Sequence, residues 1–148
     1  MSKTLILAIT FSFVGLFDSL FLFYKYINAD PFNCFLFDGC NTVANSPYSN
    51  VFGMPLPTFG VVFYAVMFLI TFLLFHHNNV FLMRLALLGG FVGFVFSLYF
   101  VFLQGFIIQA FCVYCLISAL SSVALLCALI FESNKKTETK EGLEEKQI

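Results

Sequence analysis

Residues 58–75 read TFGVVFYAVMFLITFLLF, without one charged side chain. Such a run, coiled as an α-helix at about 1.5 Å per residue, is roughly 27 Å long, close to the thickness of a bilayer's hydrocarbon core. Working outward, three further stretches meet that length: 4–24, 80–103 and 110–131. Only Asp18 and Arg84 carry charge inside any of them, and Arg84 is the one charged residue between Cys40 and Phe131. The composition agrees, with 61% hydrophobic and 10% charged residues, against about 45–50% and 25% in a soluble domain. A nucleic-acid binder needs a basic face and a disordered regulator needs polar bulk, so both classes are excluded. The chain reads as a small integral membrane protein.

The first stretch is read as a retained span. Its apolar run exceeds the roughly 7–15 residues of a signal peptide, and no A-x-A-like site follows it. Between the spans lie the long segment 25–57, the polar His76-His77-Asn78-Asn79 turn, and a weak break at 104–109, read as a short interfacial turn. Four spans put both termini on one side. That side holds Lys3, Arg84, Lys135, Lys136, Lys140 and Lys146, whereas the other holds Lys25 alone. The bias of positive residues toward the cytoplasm places the termini and the His76–Asn79 turn inside, and the 25–57 loop outside. The expected fold is all-α: a four-transmembrane-helix bundle with an extracytoplasmic loop and cytoplasmic N and C termini. Residues 1–131 form the transmembrane domain, and 132–148 form a charged tail, disordered or weakly helical.

Of the five cysteines, Cys34 and Cys40 fall in the outer loop, and Cys112 and Cys115 fall in the first turn of the fourth span. All four lie toward the oxidising face, where disulfides form and persist. Cys127 is about 22 Å further along the helix from Cys112, too far to join them, and reads as a small hydrophobe buried in the membrane. Cys112-Val113-Tyr114-Cys115 is a C-x-x-C pair at a helix N-terminus, where orphan N–H groups and the helix dipole favour a thiolate. With the loop pair Cys34-x5-Cys40 it permits a relay by thiol–disulfide exchange. Two structural disulfides, or a metal held by four thiolates, are the competing readings of the same spacing.

With those residues in place, the chain resembles the vitamin K epoxide reductase family, specifically its bacterial stand-alone members, over about residues 10–131. The resemblance is carried by Gly15-Leu16-Phe17-Asp18-Ser19-Leu20, the Cys34-x5-Cys40 pair and Asn41-Thr42-Val43-Ala44-Asn45-Ser46-Pro47-Tyr48-Ser49. It continues through Phe52-Gly53-Met54-Pro55, Phe59-Gly60 and Phe111-Cys112-Val113-Tyr114-Cys115. It implies a catalytic four-helix bundle around a quinone, with a short half-helix from the loop, about 46–52 here, capping the site. It also implies a quinone-dependent thiol oxidase of the bacterial inner membrane, multi-pass and with its active site facing the periplasm. Electrons would come from a thioredoxin-like thiol oxidase, expected here as a separate protein because the chain carries no such domain. The implied acceptor is ubiquinone or menaquinone, with membrane lipid and quinone as the other partners and neither metal nor nucleic acid involved. The bias toward Phe, Asn and Lys fits a bacterium with AT-rich DNA.

By position, Cys34 and Cys40 match the family's loop shuttle, and Cys112 and Cys115 match its redox centre, with Cys115 toward the quinone. Cys40 is expected to meet the partner and Cys34 to attack Cys112. Ser46 matches a family serine and has two readings: a hydrogen bond to the quinone, or a cap on the half-helix. Phe59 and Phe63, at i and i+4 on the second span, match pocket-wall aromatics, and Phe111 is a further pocket candidate. Vertebrate members hold their head group with an asparagine and a tyrosine where this chain has Leu56 and Ala119, so epoxide reduction is not expected. Asp18 is the one carboxylate within a span. It reads either as a proton or polar group serving the site, or as a polar residue packing helices. His76 and His77 sit in a tight turn with no third ligand and are read as interfacial. Gly89, Gly90 and Gly93 allow close helix approach.

Overall fold

The computed structural model describes residues 3–28, 39–77 and 79–145, with side chains to residue 138. Cys34 lies outside the described residues, as does the rest of 29–38. Four helices are long and apolar enough to cross a membrane. They are α1 (Lys3–Ile27), α3 (Leu56–His76), α4 (Val80–Phe102) and α5 (Val113–Glu145). A short helix, α2 (Gly39–Ala44), precedes α3. The chain is a multi-pass all-α membrane protein, as its hydropathy indicates.

The helices close into a ring in the order α3–α1–α5–α4, with the α3–α4 contact the least extensive. Outward faces carry large apolar side chains such as Phe17, Leu69, Leu88, Phe91 and Leu120, which suit lipid and would be untenable in water. Inside, the half of the bundle nearest the α3–α4 turn is solid. Ala8, Met67, Ile70, Ala86, Leu125, Ala128 and Leu129 form its core, and Leu5, Leu74 and Met83 lie beyond them. Ser12 and Thr71 are fully buried there. Their hydroxyls donate one turn back, to the Ala8 and Met67 carbonyls at 2.9 and 2.8 Å, so neither is left unsatisfied in an apolar core.

Two glycines set where the solid core ends. A Cβ on Gly15 would lie 2.3 Å from the Tyr64 ring, and one on Gly93 would lie 2.3 Å from the Phe63 ring. The missing side chains let these two rings sit between the helices. The packing opens on the far side of them.

Three expectations change. The 104–109 segment is not a turn: α4 continues as a π-helical stretch, Leu103–Ile108, and the chain turns only at Gln109, in left-handed geometry (φ 54°, ψ 32°). Gln104 and Gly105 look like breakers in sequence, but the wider π turn accommodates both. The half-helix forms earlier than expected, at Gly39–Ala44. Pro47–Ser49 makes only a 3-10 turn, because Asn50 is already extended and pairs with Pro55 in a hairpin. Phe52 and Gly53 supply that hairpin's two positive-φ positions. Finally, α5 runs to Glu145, which selects the helical of the two readings of the tail.

Candidate active site

Beyond the Phe63 and Tyr64 rings lies a cavity of about 480 Å³. All four long helices, α2 and the hairpin contribute to its wall, and the cysteines sit at the end where α1 finishes and α5 begins. Cys40, Cys112 and Cys115 all border it. Helix α5 explains part of this. Ser118, Ala119 and Ser122 also line the cavity, and they follow Cys115 at i+3, i+4 and i+7, one continuous face. The open space therefore runs down α5 from the Cys115 sulfur.

Cys112 is the residue before the first turn of α5, and its carbonyl accepts the Leu116 N–H at 3.1 Å. It is buried, at 3% exposure. Its thiol is held below the ordinary cysteine range, first by a hydrogen bond that Cys115 donates to it. Burial opposes this, while the backbone N–H groups of Cys115 and Tyr114 reinforce it and the charge of Asp18 opposes it weakly. Those backbone donors are the unpaired amides of a helix start, so the C-x-x-C spacing itself supplies the stabilisation. Tyr114, the variable residue next to Cys115, turns away and packs its ring on Phe21, with centroids 5.2 Å apart.

Cys40 is disulfide-bonded, whereas Cys112 and Cys115 are free thiols. Cys40 is only 1% exposed, which departs from the expectation that it faces a soluble partner. The reason is the position of α2. Gly39 lies so close to the Phe111 backbone that a Cβ there would come within 2.6 Å of the Phe111 carbonyl oxygen. That contact holds the start of α2 beside the start of α5, with Cys40 turned into the cavity.

Of the other expected site residues, Ser46, Phe59 and Phe63 line the cavity. The Ser46 hydroxyl donates to the Val43 carbonyl at 2.7 Å and makes no cap bond to the following turn, so it closes α2 rather than starting the next element. Phe111 is not among the lining residues: its backbone abuts Gly39 and its ring lies over Gly105. Asp18 is buried, and its Oδ2 has no hydrogen-bond partner among the described residues. It lies behind the wall, next to the lining residue Ser19. Cys127 is on the outward face of α5 rather than inside the bundle. Among the described residues no group of three or more His, Cys, Asp or Glu side chains gathers as a metal site.

Two features escaped the sequence. Tyr64 forms the floor, its hydroxyl bonded to the Ser118 carbonyl at 2.6 Å and to Ser122 Oγ at 2.8 Å. Ser118 and Ser122, four apart on α5, were the available signal. Gln104, 3% exposed, lies against the redox pair, and its Oε1 accepts the Cys112 N–H at 3.2 Å. A polar residue that late in an apolar span was the hint.

The sequence model of the vitamin K epoxide reductase family matches residues 6–130, which takes in every wall of this cavity. The chain belongs to the vitamin K epoxide reductase family. Among curated proteins, none gives a significant match. Members of the family are quinone-linked membrane redox enzymes, and this vitamin K epoxide reductase-family protein is accordingly an oxidoreductase of the membrane. Its cavity suits a quinone ring. The volume lies within the range of small-molecule sites, about 300–1,000 Å³. Leu56, Phe59, Phe63, Phe96 and Phe100 offer apolar walls, and three cysteines border the space. Leu56 and Ala119 both line it and both lack a hydrogen-bonding side chain.

Proposed function

We propose that this protein is a quinone-dependent thiol oxidase, generating disulfides for a thioredoxin-like dithiol protein on the extracytoplasmic side of a bacterial cytoplasmic membrane. What supports this above all is that Cys40, Cys112 and Cys115 border one apolar cavity. A loop pair containing Cys40 and the C-x-x-C pair can then exchange within the same space that receives the acceptor. The balance of Lys and Arg supports an orientation with the cysteine end outward.

The partner's dithiol reduces the Cys34–Cys40 disulfide and leaves with a disulfide of its own. Cys40, as a thiolate, attacks Cys112 Sγ of an oxidised Cys112–Cys115 pair, and Cys115 leaves as a thiolate. Cys34 then attacks Cys40 Sγ, restoring the loop disulfide and releasing Cys112. This order reverses the expected roles of the loop cysteines, because Cys40 is buried and borders the same cavity as the centre. A bound quinone, ubiquinone or menaquinone, supplies the acceptor for two electrons and two protons. Cys112 and Cys115 give up both as their own S–S bond re-forms. Asp18, buried next to the lining residue Ser19, takes up one of the protons leaving the pair and passes it on toward the quinone. Phe59 and Phe63 hold the ring edge-on or face-on.

The test uses purified protein, a reduced thioredoxin-like dithiol protein and a short-tailed benzoquinone or naphthoquinone without oxygen. Disulfide is expected to accumulate in the dithiol protein over many turnovers, only when quinone is present and in step with quinone loss. Quinone-independent oxidation, or none with either quinone, contradicts the proposal.

A further inference from the structure

Gln104 is buried in the apolar half of the molecule that the redox pair occupies, and burying a primary amide costs roughly 1–3 kcal/mol unless its groups are paired. Its carbonyl oxygen is paired with the redox centre. Oε1 accepts the Cys112 N–H at 3.2 Å, and Gln104, Cys112 and Cys115 border the same cavity. Since the carbonyl oxygen is directed at Cys112, the amide N–H is the group left to donate to Cys115 Sγ. The backbone of the same residue is engaged as well. The Gln104 carbonyl accepts N–H groups from both Gln109 and Ala110, the two residues that turn the chain toward the pair.

The local fold exists around this residue. A π-helical stretch is rare and is commonly found at functional positions. Here it carries Gln104 to the inside of the bundle and ends in a left-handed Gln109, a conformation that a non-glycine residue adopts only when its surroundings impose it. A plain α-helix closed by a glycine would join α4 to α5 without that strain.

We propose that Gln104 is a polar clamp on the redox pair, holding the Cys112 backbone through Oε1 and donating its amide N–H to Cys115 Sγ. The inference rests on the oxidase reading for its role in turnover, but not for its effect on the thiol. Donation to the sulfur favours Cys115 when it carries negative charge, as it does on leaving the Cys112–Cys115 disulfide. Fixing the Cys112 N–H keeps the two sulfurs in register for the S–S bond to re-form, while two electrons and two protons pass to the quinone.

Gln104→Met matches the side chain's length without donor or acceptor, and Gln104→Asn keeps the amide but withdraws it by one methylene. Each is made in two backgrounds. In the otherwise unchanged protein, kcat for a short-tailed benzoquinone is expected to fall roughly 10- to 100-fold, the scale of a hydrogen bond to a charged group, with KM within about twofold of wild type. In a background with Cys34, Cys40, Cys112 and Cys127 changed to Ala, Cys115 is the sole thiol. There, its alkylation rate against pH is expected to shift to higher pH by about one unit or more in both variants. The second readout needs no quinone, so it stands even if the oxidase reading fails. A curve that superimposes on its Gln104 parent, in whichever variant folds, overturns the proposal even where kcat has dropped.

Discussion

Cys115→Ser is expected to abolish quinone reduction, with a loss of at least about 10³-fold, the scale seen when a reacting nucleophile is removed. The hydroxyl cannot form the second half of the S–S bond, so the pair can no longer release two electrons together. Quinone binding should survive. Phe59, Phe63, Leu56 and Phe96 form the apolar walls, and none depends on the sulfur. Quinone affinity within a fewfold of wild type, measured by displacement of a bound fluorescent analogue, is therefore the companion result. An oxidase that keeps a tenth of its rate without Cys115 would require another route for the electrons, and the assignment of the centre would fall.

The second large effect concerns the order of the relay. In Cys34→Ser/Cys115→Ser protein the remaining site thiols are Cys40 and Cys112. In Cys40→Ser/Cys115→Ser protein they are Cys34 and Cys112. Mild oxidation is expected to cross-link the first pair at least about tenfold faster, because a disulfide needs Cα atoms about 4.4–6.8 Å apart and correctly facing side chains. Close packing of Gly39 on the Phe111 backbone holds Cys40 beside that position. Both disulfides can be read by the mass of the linked peptides. Equal rates, or faster cross-linking through Cys34, would restore the order in which Cys34 meets the centre and Cys40 meets the partner.

How much of this was legible depends on the kind of signal. The four spans are written in long uncharged runs, and a bilayer leaves the chain few alternatives. Cys112 and Cys115 were legible for a similar reason: the C-x-x-C spacing has a fixed meaning at a helix start. Phe59 and Phe63 came from the resemblance and do face the cavity. The failures arose where backbone detail decides position. Gln104 and Gly105 read as the edge of a turn, yet a π-helical stretch absorbs them, and hydropathy has no channel for that geometry. Ser46-Pro47 reads as a helix start. Asn50 turns to β pairing instead, so the capping helix lies earlier, over Gly39–Ala44. Phe111, adjacent to Cys112, is a pocket candidate in sequence, but its ring lies over Gly105 instead. The burial of Cys40 depends on a long-range contact between α2 and the start of α5, which no local pattern encodes.

The most direct test of the central claim is a single turnover. Protein with its cysteines fully reduced is mixed anaerobically with substoichiometric short-tailed quinone, while quinone absorbance and the thiol state of the Cys112–Cys115 peptide are followed together. In Cys34→Ser/Cys40→Ser protein, one Cys112–Cys115 disulfide is predicted to appear for each quinone lost and at the same rate, with quinone lost as fast as in wild type. Quinone loss without that disulfide, or a disulfide that appears only when the loop cysteines are present, would contradict the account.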